Sequence, residues 1–168
     1  MAEENNGGAA AAAPEQGGQQ FRIQKVFVKD VSFEAPRSTE IFTDQAKWSP
    51  DVKVQLNTEN RAIKSELYEC VLTVTVTVSL DEKPAYLAEV KQAGLFSISG
   101  FGEQELGHLL GSYAPGVLFP FIREVISELA VKGGFPQMLL DPINFDALYA
   151  QHVEAAKQQN APAPETAQ

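Results

Sequence analysis

The sequence predicts an α+β fold in which four strands come first and helices follow, packed on one face of an antiparallel sheet. Three observations predict it. Apolar and polar residues alternate from Tyr68 to Leu80, a similar two-residue period recurs in three neighbouring segments, and from Glu103 the period becomes that of a helix.

The ends come first because they lack this patterning. Residues 1–20 hold Ala, Gly, Gln, Asn and Glu with no branched or aromatic side chain, too little apolar surface to offset the entropy of ordering. A disordered arm over 1–20, a folded domain over 21–158 and a disordered tail over 159–168 are therefore expected. The arm has no Lys or Arg and its Ala run is short, so it does not read as a secretory signal. The longest fully apolar run, Val117–Ile122, is interrupted by Pro120 and far short of a membrane span. With one cysteine, Cys70, no internal disulfide can form, and a cytoplasmic, reducing compartment is expected. The net charge of −9 disfavours nucleic acid and anionic membranes as partners, since phosphate binding needs clustered cations. It suits solubility, or docking onto basic protein segments.

The first strand begins at Phe21. Phe21, Ile23, Phe27, Val31 and Phe33 fall on odd positions, interrupted by Lys25 and Lys29. Lysines in an apolar phase guard exposed edges, so this is expected to be an edge or dimer-contact strand. Between Pro36 and Pro50 lies an irregular stretch holding Ile41, Phe42 and Trp48. The second strand carries Val52, Val54 and Leu56 on one face, and a polar turn is expected around Asn60. In the third, Tyr68, Cys70, Leu72, Val74, Val76, Val78 and Leu80 hold every even position. Such alternation means one buried face and one wetter face. Asp81–Pro84 is short enough to turn a hairpin into the fourth strand, Ala85 to Ser99. Leu106, Leu109 and Leu110 then recur at helical spacing, with Pro115 as a break or first-turn residue. A second amphipathic run carries Phe119, Ile122, Val125, Ile126 and Leu129 to Gly133-Gly134, and Pro120 predicts a kink or restart. Asn144 is a plausible N-cap for a last helix with Phe145, Leu148, Tyr149 and Val153 on one face.

Catalytic and metal chemistry find little support. Gly100-Phe-Gly102 precedes a helix, but Glu105 stands where a dinucleotide fingerprint needs its third glycine, and Glu103 and Glu105 would repel a pyrophosphate. Cys70 shares the face of Leu72 and Val74 and reads as a core thiol. His108 and His152 lack carboxylate partners at ligand spacing, and no Ser nucleophile motif is present. Hydrophobicity in loops stands out instead: Phe42 and Trp48 in one, Phe135, Met138 and Leu139 in another. The plain reading folds both over the sheet as extra core; the sharper one makes them walls of an apolar groove, since aromatics and Met suit promiscuous binding. Asp30 and Glu34 also project from one face of the first strand, where Glu89 joins them if the strands neighbour.

Four segments carry a resemblance: Lys29-Asp-Val-Ser-Phe-Glu-Ala-Pro36, Leu118-Phe-Pro-Phe-Ile-Arg-Glu124, Gly134-Phe-Pro-Gln137 and Pro142-Ile-Asn-Phe-Asp-Ala-Leu148. In order and spacing, over Phe21 to Gln158, they resemble the SecB family of bacterial protein-export chaperones. The resemblance implies a four-stranded antiparallel sheet carrying a long helix, and a homotetramer built as a dimer of dimers. It further implies ATP-independent holding of unfolded precursor proteins and their delivery to SecA, with no cofactor; any zinc belongs to the tail of SecA. Asp30, Glu34, Leu87 and Glu89 match the family's SecA-contact positions, and Val90 and Gln92 match positions linked to tetramer assembly. Phe42, Trp48, Phe135, Met138 and Leu139 are the inferred client contacts, by loop position and chemistry. The Ala/Gly/Gln arm is outside the shared pattern. Two other classes are carried beside this one. A small α+β hydrolase would use Asp44 or His108 beside an apolar acyl pocket, and a general interaction module would have no role in export.

Overall fold

The computed structural model describes residues 18–44 and 47–159, so nearly all of the expected arm and tail lie outside the described residues. Four strands, β1 (Gln20–Glu34), β2 (Asp51–Lys64), β3 (Leu67–Leu80) and β4 (Lys83–Ser99), form one sheet in the order β1-β4-β3-β2. Every neighbouring pair is antiparallel. A short helix α1 (Ser38–Thr43) lies in the connection from β1 to β2. After β4 come α2 (Glu103–His108), a π-helical turn (Leu109–Tyr113), α3 (Ala114–Lys132) and α4 (Phe145–Gln159).

The expected face of β3 is the floor of the core: Cys70, Leu72, Val74, Val76 and Val78 are fully buried. From β4, Tyr86, Ala88, Val90, Phe96 and Ile98 continue it. Onto this floor α3 lays Ala114, Leu118, Ile122, Ile126 and Ala130, one residue every four positions. Gly94 fixes how closely it sits, because a side chain there would collide with the Phe96 ring and press on Leu118. Burial pushes the Cys70 thiol up to about 12, as befits an inert core cysteine.

Four local expectations are corrected. The polar stretch around Asn60 is strand: β2 runs to Lys64, and the turn falls at Ser65-Glu66, where Glu66 takes φ 59°. Pairing with the long β3 overrides the polar composition here. Second, β1 does not keep one phase. Register shifts between Ile23 and Lys25 and between Val28 and Asp30 reset it, leaving Val26 opposite Gly94 and Val28 opposite Gln92. Phe27, Lys25 and Lys29 thus go to the face away from α3, so the lysines do not interrupt an apolar row. Third, the β3–β4 turn is the two residues Asp81-Glu82, with φ 51° and 61°, the paired left-handed geometry of a tight hairpin without its usual glycine.

Fourth, Pro120 does not restart the helix, while Pro115 falls in the first turn of α3, one of the two places expected for it. His108, Leu109, Tyr113 and Ala114 all have right-handed helical dihedrals, so α2, the π turn and α3 run on as one rod. The π turn ends beside Pro115, which has no N–H to give the preceding turn; the Asn60 side chain of β2 instead donates to the Leu110 carbonyl (3.1 Å). Pro120 lies on the exposed face, where water replaces its missing donor.

Asn144 is an N-cap: its Oδ1 accepts from the Ala147 N–H at 3.0 Å. Asn144→Ala is expected to cost about 1 kcal/mol, read as a lower urea midpoint with an unchanged slope.

Candidate functional site

Three regions hold the residues singled out above. The first is an aromatic seam where α3 ends. The Phe135 N–H returns to the Ala130 carbonyl (3.0 Å) and Gly134 turns the chain at φ 86°. Phe135 thereby lands, 4% exposed, at the centre of four rings: Tyr86 (4.7 Å between centroids), Phe42 (5.0 Å), Trp48 (5.6 Å) and Phe33 (6.5 Å). The Phe42 ring rests on Gly134, where a Cβ would meet it at 3.1 Å. The loop residues divide between burial and exposure. Phe135 is core and Met138 packs partly buried against that core, whereas Phe42 and Leu139 are 51% and 59% exposed. Leu139 is not among the rings; Phe42, Trp48 and Phe135 are brought together.

The second region was not foreseen. Val52, Val54 and Leu56 of β2 are on the helix side of the sheet, yet α3 leaves them exposed. Between β2 and α4 lies a groove of about 750 Å³ lined by Leu56, Leu110, Phe145, Leu148 and Tyr149 among others. Tyr149 sits against Gly107 and Gly111, and any side chain at Gly111 would run into its ring. Asp146 secures α4, accepting hydrogen bonds from Ser112 and His108 (2.8 Å to Nε2), which hold its carboxyl below the usual range. Neither Asp44 nor His108 lines this groove, and His108 is engaged with Asp146. The sequence signal was the apolar phase of β2, which demands a partner the helix count does not provide.

The third region is the outer face of the sheet, away from α3. Pairing sets Glu34 opposite Leu87, Ser32 opposite Glu89 and Asp30 opposite Lys91, so Asp30, Glu34, Leu87 and Glu89 share one patch. Asp30 and Glu34 are exposed, and Glu89 is half-buried and accepts from Thr75 Oγ1 at 3.0 Å. Val90 and Gln92 point the other way. Val90 has no exposed surface and Gln92 is 3% exposed, both within this chain's own core. Both were expected at an oligomer contact; within the single chain Val90 presents no surface.

Further along the outer face is a feature the alternation concealed. Glu69 occupies a position expected to be wet, yet is 6% exposed. Lys29 Nζ (3.1 Å) and Arg61 Nε (2.7 Å) both bind it, joining β1 and β2 to β3. Burial alone would raise its pKa, but these hydrogen bonds and charges more than offset that and hold it below the usual value.

The profile of the SecB family, described as preprotein translocase subunit SecB, matches residues 14–156. The chain belongs to the SecB family. The protein-export protein SecB of Methylococcus capsulatus is 54% identical over 163 residues, covering 97% of this chain and 98% of that one. The protein of the same name from Nitrosococcus oceani is 54% identical over 138 residues, 82% and 84% of the two chains. SecB membership makes this chain a protein-export chaperone. A Mycobacterium tuberculosis SecB-like chaperone, solved with a peptide from an antitoxin, shares the fold at a TM-score of 0.62 and 14% identity, over 73% of this chain and 90% of that one. The expected four-stranded antiparallel sheet with a long helix and a C-terminal helix is the SecB arrangement found here. No helix among the described residues is long and apolar enough to cross a membrane.

Proposed function

We propose that this SecB chain holds unfolded precursors at the aromatic seam and in the groove between β2 and α4, without nucleotide, and passes them to SecA from the acidic patch of its outer face. The half-exposed Phe42 and partly buried Trp48, lying over Phe135, carry the reading. They are large apolar rings on a connecting segment, where a client's own aromatic side chains can compete for the same floor. Each well-buried large side chain of a client contributes about 1.5–3 kcal/mol, so a few sites hold a chain with no bond broken and no cofactor. Leu139 and Met138 extend the same apolar surface. Residues 21–158 form the binding domain, with 1–20 and 159–168 as flanking arms, and the chain works in the cytoplasm as a dimer of dimers. Val90 and Gln92 support that assembly by shaping the sheet from inside.

The test is solution mass combined with suppression of aggregation of a denatured precursor in the absence of nucleotide. A tetramer active in that assay is expected; an inactive monomer refutes the reading. Separately, Glu34→Lys and Glu89→Lys should each weaken SecA binding roughly tenfold or more by placing like charge against a cationic partner, while client holding persists. Parallel loss of both activities would rule out a distinct docking face.

A further inference from the structure

The outer face of the sheet is electrically divided. At one end lie Asp30, Glu34 and Glu89, with Lys91 opposite Asp30 and Asp51 and Lys53 on the same face of β2. At the other, where β1 begins and β4 ends, Arg22, Lys25, Lys29, Arg61 and Lys64 come together through the strand register: Arg22 opposite Ser97, Lys25 opposite Leu95, Lys64 opposite Leu67 and Arg61 opposite Glu69. The two phase shifts in β1 and the one between Ala62 and Lys64 in β2 put Lys25, Lys29 and Lys64 on this face. These are five of the thirteen basic residues of a chain with net charge −9. Against them stand Glu66, in the β2–β3 turn, Glu59, on the same face of β2 opposite Val71, and Glu69, already bound by Lys29 and Arg61. Five cations against three carboxylates leave the patch positive. Arg22, Lys25 and Lys64 are exposed and make no ion pair among the described residues.

Between them the surface forms a shallow depression of about 470 Å³. Its rim carries Arg22 and Lys64 beside one carboxylate, Glu66, with Gln20, Gln24, Ser97 and Ser99 as neutral hydrogen-bonding groups. Cations beside amide and hydroxyl donors match a carboxylate, which accepts several charge-assisted hydrogen bonds at once. We infer that this end of the outer face binds a short acidic segment of a partner polypeptide, rich in Asp and Glu, at a site separate from the acidic patch and from the aromatic seam. The reading goes beyond the proposed export function and does not rest on it.

Length discriminates between anions. Ser97 and Glu89 are eight positions apart on β4, about 27 Å, well beyond the roughly 8 Å over which physiological salt screens charge. A short acidic segment seated on Arg22 and Lys64 therefore feels those cations and little of Glu34 or Glu89. A long polyanion such as nucleic acid crosses onto the acidic half and is repelled.

The experiment uses the full chain and a fluorescently labelled peptide of eight residues alternating Asp and Glu with Gly and Ser, followed by anisotropy. Binding that weakens steeply with salt is expected, with at least a tenfold loss in Arg22→Glu/Lys64→Glu and a smaller loss in Arg22→Gln/Lys64→Gln, whose neutral side chains guard against misfolding. Glu34→Lys/Glu89→Lys should leave it unchanged. An Asn/Gln version of the peptide should not bind. The inference is overturned if the Arg22/Lys64 variants bind as well as the parent, or if a single-stranded oligonucleotide binds more tightly than the peptide. It is also overturned if Glu3→Gln/Glu4→Gln/Glu15→Gln raises peptide affinity severalfold, which would assign the patch to the chain's own arm. None of these outcomes depends on client holding or SecA binding.

Discussion

Phe135→Ala is expected to lower the unfolding free energy by about 3–5 kcal/mol, the largest loss from any single truncation in the seam. The ring is 4% exposed and touches four others, so its removal forfeits both transfer energy and the contacts of a cavity that cannot easily collapse. Tyr86 and Phe33 are held by strands β4 and β1, and the helix end is fixed by the Phe135 and Gly133 backbone bonds, so only the α1 segment can move inward. Urea unfolding at a fixed protomer concentration measures the loss. Client affinity should fall as well, because Phe42 and Trp48 lose the floor that orients them. Phe42→Ala provides the contrast. Its ring is half exposed, so stability should change by only about 1 kcal/mol while client affinity drops comparably. If Phe42→Ala destabilises as much as Phe135→Ala, the seam is ordinary core and not a binding surface.

The second large effect concerns Glu69. Lys29→Met with Arg61→Met keeps the covering volume but strips both positive charges from a buried carboxylate, and is expected to cost about 3 kcal/mol. Removing Glu69 alone should cost less, because Lys29 and Arg61 have side chains 39% and 66% exposed and can turn to water. Adding Glu69→Met to the double variant should recover most of the loss, since a buried ion network is often replaceable by apolar groups of similar volume. The folded pKa of Glu69 is depressed. Its contribution is therefore complete above the usual carboxylate range and disappears as pH falls through the folded value. Stability of the parent should thus fall more steeply below about pH 4.5 than that of Glu69→Gln. Equal slopes would mean the network is not formed in solution.

The parts of this molecule legible in its sequence were those governed by local periodicity. The β3 alternation, the Asn144 cap and the stop at Gly133-Gly134 each follow from a few adjacent residues. What escaped depends on partners distant in sequence. The phase of β1 is reset by two shifts that only its pairing with β4 reveals, and that pairing puts Phe27 and the lysines on the outer face. β2 continues through a polar stretch because β3 templates it. The helix accommodates Pro115 through a π turn and a carbonyl taken up by Asn60 of β2, and Pro120 by its exposed position. The acidic patch was legible because i, i+2, i+4 positions share a strand face and neighbouring strands were expected. The burial of Glu69 was not, since its covering side chains come from residues 29 and 61. The aromatic loops were recognised as unusual, but which rings are sealed and which are open depends on how Gly134 lets Phe42 lie down.

Trp48 is the chain's only tryptophan, and it sits 5.6 Å from Phe135. Indole emission therefore reports on one place in the chain, with no second chromophore of its kind to blur the signal. A ligand that slides between the rings changes the polarity around that indole and shifts its emission wavelength, whereas one that docks on the far side of the sheet leaves the spectrum alone. The protein carries an internal optical gauge that would separate the two proposed kinds of encounter without any label.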